Sequence, residues 1–197
     1  MTLLIAAFGS IGIPFAIWFV VVAMWLASLW LPQLVPDTGW LPRGRATPVV
    51  WGLTGALVIF AGIGLTLWAL GTDQMGESTI QLLEAAQDLP GPALATALVV
   101  FIVVNAVTEE IAYRGIVFDA AGSVFGPKPA VIAQAIAFGT LHVAGFPAGP
   151  VGVGLAFGYG LTLGTVRHLT GGLQFPIIAH MAADTTIAIL FVVLLLR

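Results

Sequence analysis

Three ionisable residues lie close together inside a long apolar stretch of the chain. Glu109, Glu110 and Arg114 fall within residues 93–117, which are otherwise largely apolar. Charge inside hydrocarbon is costly, so such residues indicate a functional site by default. On a helix, Glu110 and Arg114 are four residues apart and can pair, whereas Glu109 points about 100° away from Glu110. A carboxylate with no counter-charge on its own helix suits a general base, so the pattern favours proton-transfer chemistry over a purely structural ion pair.

Two further motifs place histidines at helical spacing. Phe138 precedes His142 by four residues, which puts the two rings on one face and lets the phenyl group orient the imidazole. His180 precedes Asp184 by four residues, so these side chains also share a face. The remaining histidine, His168, follows Arg167, and we interpret it as a surface residue in a loop.

Two chemistries fit these residues. In the first, Glu109 and His142 deprotonate a water that attacks a peptide carbonyl, while His180 and a protonated Asp184 stabilise the oxyanion. In the second, Glu109, His142 and His180 bind a divalent metal such as zinc, which activates the water. The sequence favours the metal alternative less, because it has no His-Glu-x-x-His motif. The absence of a Gly-x-Ser-x-Gly motif argues against a serine hydrolase.

The amino-acid composition indicates the class of protein that contains these residues. The chain is 59% hydrophobic and 8% charged, with a mean hydropathy of +1.08, which indicates an integral membrane protein. It has no cysteine, which excludes disulfides, thiolate metal sites and a cysteine nucleophile, and it has no basic patch for nucleic acid. We predict about six transmembrane helices over residues 3–31, 47–70, 92–118, 129–143, 151–167 and 173–196.

Two shorter features complete the predicted layout. Residues 71–91 contain a short amphipathic pattern, which predicts a helix at the membrane interface capped by Ser78. The helix over 151–167 carries glycines at four-residue spacing, Gly154 with Gly158 and Gly160 with Gly164. Because such pairs let helix backbones approach closely, we predict that both serve packing inside the protein.

The basic residues predict the orientation. Arg43, Arg45, Lys128 and Arg167 fall in alternate predicted loops, which are therefore cytoplasmic, so both termini face outward. Measured from that side, Glu109, His142 and His180 lie ~14, ~20 and ~10 Å deep. One site opening to the cytoplasm is therefore predicted.

The three motifs together resemble the CPBP family, also called Abi, which includes type II CAAX prenyl endopeptidases and bacteriocin-processing membrane proteases. The resemblance rests on Glu109-Glu110-x-x-x-Arg114, Phe138-x-x-x-His142 and His180-x-x-x-Asp184, and it covers residues 92–197. It implies that Glu109 and His142 activate water, that His180 and Asp184 stabilise the oxyanion, and that Glu110 and Arg114 support the first motif. CAAX proteases of eukaryotes and archaea carry Asn where Asp184 stands, and a carboxylate can donate a hydrogen bond there only when protonated.

These observations predict an all-α integral membrane protein with two parts. Residues 1–90 hold two transmembrane helices and the interfacial segment, and residues 91–197 form a four-helix protease core. The expected function is an intramembrane endopeptidase acting on membrane-associated, lipidated or bacteriocin and signal peptides in a bacterial plasma membrane. The expected partners are the peptide or lipidated substrate and membrane lipid, without nucleic acid and with no cofactor favoured. The alternatives are a metal-dependent protease using the same residues and a non-catalytic scaffold or immunity protein.

Overall fold

The computed structural model describes residues 44–71, 77–143 and 145–196, and within these ranges the regular structure is entirely helical. The predicted helix over 3–31 lies outside the described residues. The helices are α1 (Pro48–Gly71), α2 (Glu77–Gln87), α3 (Gly91–Phe125), α4 (Pro127–Leu141), α5 (Gly149–Thr170) and α6 (Gln174–Leu195).

Four of these helices, α1, α3, α5 and α6, are long and apolar enough to cross a membrane. Helix α4, predicted as a transmembrane helix over 129–143, has only 15 residues and is not among the described helices long enough to cross a membrane. Large apolar side chains remain exposed on α1, including Ile59, Ile63 and Leu67, as expected for a surface that faces lipid. The prediction of an all-α integral membrane protein is confirmed.

Helix α3 is longer than predicted. It begins at Gly91 with Pro92 in its first turn, a position that proline favours, and it runs for 35 residues to Phe125. At 1.5 Å per residue this is about 52 Å, well beyond a hydrocarbon core of about 30 Å. Gly126, at φ 85°, ends the helix, and α4 starts at the next residue. The predicted loop containing Asp119 is therefore helical, because nothing before Gly126 breaks the pattern.

Helix α5 packs against α4 through one of its two glycine pairs. A Cβ added at Gly160 would lie 3.1 Å from the Ala135 backbone, and one at Gly164 would collide with the amide of Gln134. Gln134 is fully buried and donates from Nε2 to the Gly160 carbonyl over 2.8 Å. Gly154 and Gly158, in contrast, have no described residue within 4 Å of an added Cβ. The packing prediction is confirmed for the second pair, whereas no described residue packs closely against the first.

Helix α1 packs on α5 and α6 through small apolar clusters. One joins Leu57 to Leu163 and Ala179, and another joins Leu65 and Ala69 to residues of α6. The short helix α2 exists as predicted, but it begins at Glu77, so Ser78 lies inside its first turn and cannot be the residue before it.

Arg167 is in the last turn of α5 and not in the predicted loop. Its Nη2 donates to Asp119 Oδ1 over 3.3 Å, and its Nε donates to the Arg114 carbonyl over 3.1 Å. The side chain is buried and paired, so it is not a free basic charge of the kind that the orientation argument counts. His168 is exposed as predicted, although it too belongs to the helix.

Candidate active site

A cavity of about 500 Å³ lies between the helices and collects the predicted catalytic residues. Glu109 reaches it from α3, His142 from the turn after α4, and His180 and Asp184 from α6. Phe138 also lines it. The structure therefore brings together side chains up to 75 positions apart in the chain, Glu109 to Asp184, in one site, as the depths along the predicted helices indicated.

Behind the cavity lies the ion pair of Glu110 and Arg114. Arg114 Nη1 donates to Glu110 Oε1 over 2.8 Å, and both side chains are fully buried. The guanidinium carbon also lies 4.3 Å from the centre of the Phe138 ring, which adds a cation–π contact. The predicted pairing on one helix face is confirmed, and Phe138 is found to touch both the arginine and the histidine of its own motif.

His180 is held by the same Glu110 oxygen. Its Nδ1 lies 2.7 Å from Glu110 Oε1, and its Nε2 faces two other carboxylates, 3.6 Å from Glu109 Oε2 and 3.7 Å from Asp184 Oδ1. A Glu110 carboxylate that already accepts from Arg114 accepts here too, so Nδ1 carries the proton and donates. Glu110 thus orients His180, a task that its spacing from Arg114 alone did not reveal.

His142 is oriented by the backbone of its own motif. Its Nδ1 lies 3.1 Å from the Phe138 carbonyl oxygen, and its ring lies 5.0 Å from the phenyl ring. A carbonyl only accepts, so Nδ1 carries the proton and Nε2 keeps its lone pair for a proton from elsewhere. His142 lies outside the four candidate spans, and burial lowers the pKa of its imidazole, opposed by the Phe138 hydrogen bond. A general base must be neutral and must have a lone pair that accepts the proton. The lowered pKa favours the neutral ring and the tautomer leaves the lone pair on Nε2, so both suit His142 to this role.

Two residues of the cavity were not singled out by the motifs. Asn105 donates from Nδ2 to Asp184 Oδ2 over 3.2 Å, and Tyr159 donates its hydroxyl to the Ala179 carbonyl over 2.9 Å. Asn105 stands four residues before Glu109 in the same apolar run, so helical spacing could have placed it on the same face. Nothing in the local sequence marks Tyr159.

The backbone around the acidic pair departs from a regular α-helix. Ala106–Glu110 is α-helical, but π-helical turns flank it at Phe101–Asn105 and Ile111–Val117. Such turns are rare and occur frequently at functional sites. They lie in α3 on either side of the segment that carries both glutamates, and so help to set the direction of these side chains relative to the rest of the helix.

The metal alternative can be compared with the same geometry. In the described ranges, no three side chains of His, Cys, Asp or Glu converge closely enough to hold a metal ion. The Nδ1 atoms of His142 and His180 already contact Phe138 and Glu110, which leaves one nitrogen on each ring. Imidazole nitrogens and carboxylate oxygens are ligand types that bind zinc, but here they are not arranged as a preformed metal site.

Comparison with known proteins gives one match to a family model, over the core of the chain. The family model described as type II CAAX prenyl endopeptidase Rce1-like matches residues 91–186. The match spans α3, α4, α5 and the part of α6 that carries His180 and Asp184. No curated protein and no solved structure matches the chain.

Proposed function

We propose, from the premise that residues 91–186 belong to the Rce1-like type II CAAX prenyl endopeptidases, that this integral membrane protein is an endopeptidase acting through Glu109 and His142. The family implies a peptidase with a membrane-associated peptide or protein as its substrate. The assignment of residues to steps is our inference from the geometry of the cavity.

One observation carries the proposal. Glu109, His142, His180 and Asp184 line a single cavity, although they come from α3, from the turn after α4 and from α6. Bringing ionisable groups into the apolar interior of a membrane protein is costly, so a convergence of this kind favours chemistry over packing. A scaffold protein would gain nothing from an imidazole whose Nε2 is left available beside a carboxylate.

The proposed reaction begins with a water between Glu109 and His142. The water loses a proton to one of these groups, and its oxygen forms a bond to the carbonyl carbon of the scissile peptide while the carbonyl oxygen takes the π electron pair. The C–N bond then breaks, and the proton is returned to the leaving amine. His180, whose Nδ1 contacts Glu110, stabilises the developing negative charge through Nε2 when both of its ring nitrogens are protonated.

The cavity wall supports an apolar substrate. Apart from the polar residues described above, its lining is largely apolar or aromatic, and its volume is in the range of about 300–1,000 Å³ usual for ligand pockets. We infer that it accepts a peptide whose cleaved end carries a lipid or an apolar segment, such as a CAAX-like terminus, a signal peptide or a bacteriocin precursor. The lining residues that carry this argument are Leu57, Phe60, Leu65, Phe101, Leu141, Phe146 and Leu155.

We also propose that the cavity opens toward the cytoplasm of a bacterial plasma membrane. The support is the distribution of Arg43, Arg45 and Lys128, since Arg167 is buried and paired.

The function is tested by comparing peptides in membranes that contain wild-type protein with those that contain Glu109→Ala, using mass spectrometry. Glu84→Ala is the matched control, because Glu84 is an exposed carboxylate on α2, away from the cavity. Products present with wild type and with Glu84→Ala, but missing with Glu109→Ala, support the proposal. Identical peptides in all three samples would favour the scaffold alternative.

A further inference from the structure

Hydrolysis of a peptide bond needs a hydrogen-bond donor for the oxyanion, and the cavity offers few neutral side-chain donors. The hydroxyl of Tyr159 is committed to the Ala179 carbonyl, and that of Thr162 to the Gly158 carbonyl. The hydroxyl oxygen of Thr108 is enclosed and has no hydrogen-bond partner among the described residues. Of the cavity-lining hydroxyl and amide donors that the structure describes, this leaves the amide of Asn105.

Asn105 is held in a defined direction. Its Nδ2 donates to Asp184 Oδ2 over 3.2 Å, and this contact fixes which end of the amide is nitrogen, because a carboxylate accepts. An amide nitrogen has two hydrogens, so one remains for a group inside the cavity. Asn105 is half-buried and stands one helical turn before Glu109, at the end of the first π-helical turn.

Asp184 is poorly placed to donate. One of its oxygens accepts from Asn105, and the other lies 3.7 Å from His180 Nε2. The side chain is almost completely buried, and both of its oxygens face nitrogen atoms. This is the arrangement of an acceptor that orients its neighbours, and not that of a hydrogen-bond donor.

We propose that Asn105 supplies the neutral hydrogen bond to the oxyanion, and that Asp184 positions the Asn105 amide. The inference rests on the proposed endopeptidase function and deepens it. During attack, the electron pair released from the carbonyl π bond settles on the oxygen that Asn105 Nδ2–H contacts. When the C–N bond breaks, this electron pair re-forms the carbonyl, and the Asn105 contact weakens again.

The test is cleavage of a peptide substrate, identified in the membrane comparison above, by purified full-length protein in detergent. Asn105→Ala should lower kcat by about 10²- to 10³-fold, the loss typical of one oxyanion donor, with little change in KM. Asn105→Leu keeps the side-chain volume without the donor and should lose as much. Thr96→Val is the matched control, since Thr96 is an exposed residue of the same helix that does not line the cavity and whose hydroxyl donates to the Pro92 carbonyl, and it should retain kcat.

Variants of Asp184 separate the two roles. Asp184→Ala should lower kcat less than Asn105→Ala does, and the double variant should be no slower than Asn105→Ala alone, since both act through one amide. The melting temperature of each variant shows whether the fold is kept. Folded Asn105→Ala and Asn105→Leu proteins with kcat close to wild type would overturn the inference, as would Asp184→Ala being the slower single variant.

The activity of Glu109→Gln distinguishes a failure of the proposed endopeptidase function from a failure of the role assigned to Asn105. If Glu109→Gln is inactive and Asn105→Ala is not impaired, the endopeptidase proposal survives and only the assignment of the donor fails. If wild-type protein and Glu109→Gln behave alike, the proposed function fails and the role of Asn105 fails with it.

Discussion

Removing Arg114 should destabilise the protein through the charge that it leaves behind. Glu110 is fully buried, and its Oε1 lies 2.8 Å from Arg114 Nη1. The substitution Arg114→Ala therefore leaves a buried carboxylate without its counter-charge. Breaking a buried pair from one side costs about 3–5 kcal/mol. For a domain of this size each kcal/mol lowers the melting temperature by ~2–4 °C, which predicts a fall of roughly 6–20 °C.

The double variant Glu110→Gln with Arg114→Met provides the decisive comparison. Several polar atoms of the ion pair remain without a hydrogen bond in the described part of the chain. No hydrogen-bond partner among the described residues reaches Arg114 Nε, Arg114 Nη2 or Glu110 Oε2. Removing both charges together should therefore recover most of the lost stability. The glutamine introduced in place of Glu110 still offers an oxygen to His180 Nδ1, so the fold around the histidine should persist.

The assay is thermal unfolding in detergent, followed by tryptophan fluorescence, at one fixed detergent concentration. We expect Arg114→Ala to melt well below wild type and the double variant to melt close to it. If Arg114→Ala melts like wild type, the loss of the counter-charge of Glu110 does not destabilise the protein, which refutes this prediction. If the double variant is as unstable as Arg114→Ala, packing of Arg114 on Phe138 matters more than the charge.

Three further outcomes are expected. Glu109→Gln should lower kcat by about 10²- to 10⁴-fold while the protein accumulates normally, and Glu110→Gln should lose less; the reverse order would exchange their roles. Strong chelators should leave cleavage intact and purified protein should hold no stoichiometric zinc, whereas inhibition that added metal reverses would establish the metalloprotease alternative. A topology reporter fused after residue 197 should be extracytoplasmic and one inserted at residues 43–45 cytoplasmic, and the opposite pattern would refute the orientation.

The motifs predicted much of the site because helical spacing translates directly into a shared face. Glu110 pairs with Arg114, and Phe138 contacts His142, as a four-residue separation requires. The convergence of Glu109 with His180 depended on comparing depths along separate predicted helices, a cruder argument that the cavity nevertheless supports.

What the sequence did not reveal depends on contacts between distant segments. Glu110 accepts from His180, 70 residues away, and Arg167 donates to the Arg114 carbonyl, 53 residues away. Charge and spacing suggested a loop for Arg167, because a basic residue near the end of an apolar stretch is more often solvated. Asp119 and the Arg114 carbonyl, both on α3, provide the partners with which Arg167 is buried instead.

The π-helical turns of α3 were also beyond prediction. Their residues, Phe101–Asn105 and Ile111–Val117, are mostly apolar and helix-compatible, and composition does not distinguish a π turn from an α turn. The prediction assumed a uniform helix, and it succeeded for Glu110 and Arg114 because the pair can also form across the start of the second π turn.

The two glycine pairs of α5 differ in their surroundings, and only Gly154 and Gly158 border the cavity. Gly160 and Gly164 are pressed against α4, so any larger residue there must displace a neighbour. At Gly154 and Gly158, no atom of the described residues lies within 4 Å of the position that a Cβ would take. An alanine at either site would narrow the cavity without touching any described residue, and a glycine-to-alanine change within a helix favours helix formation by itself. The volume of the cavity can therefore change by single substitutions on this face of α5, whereas the face that packs on α4 is constrained.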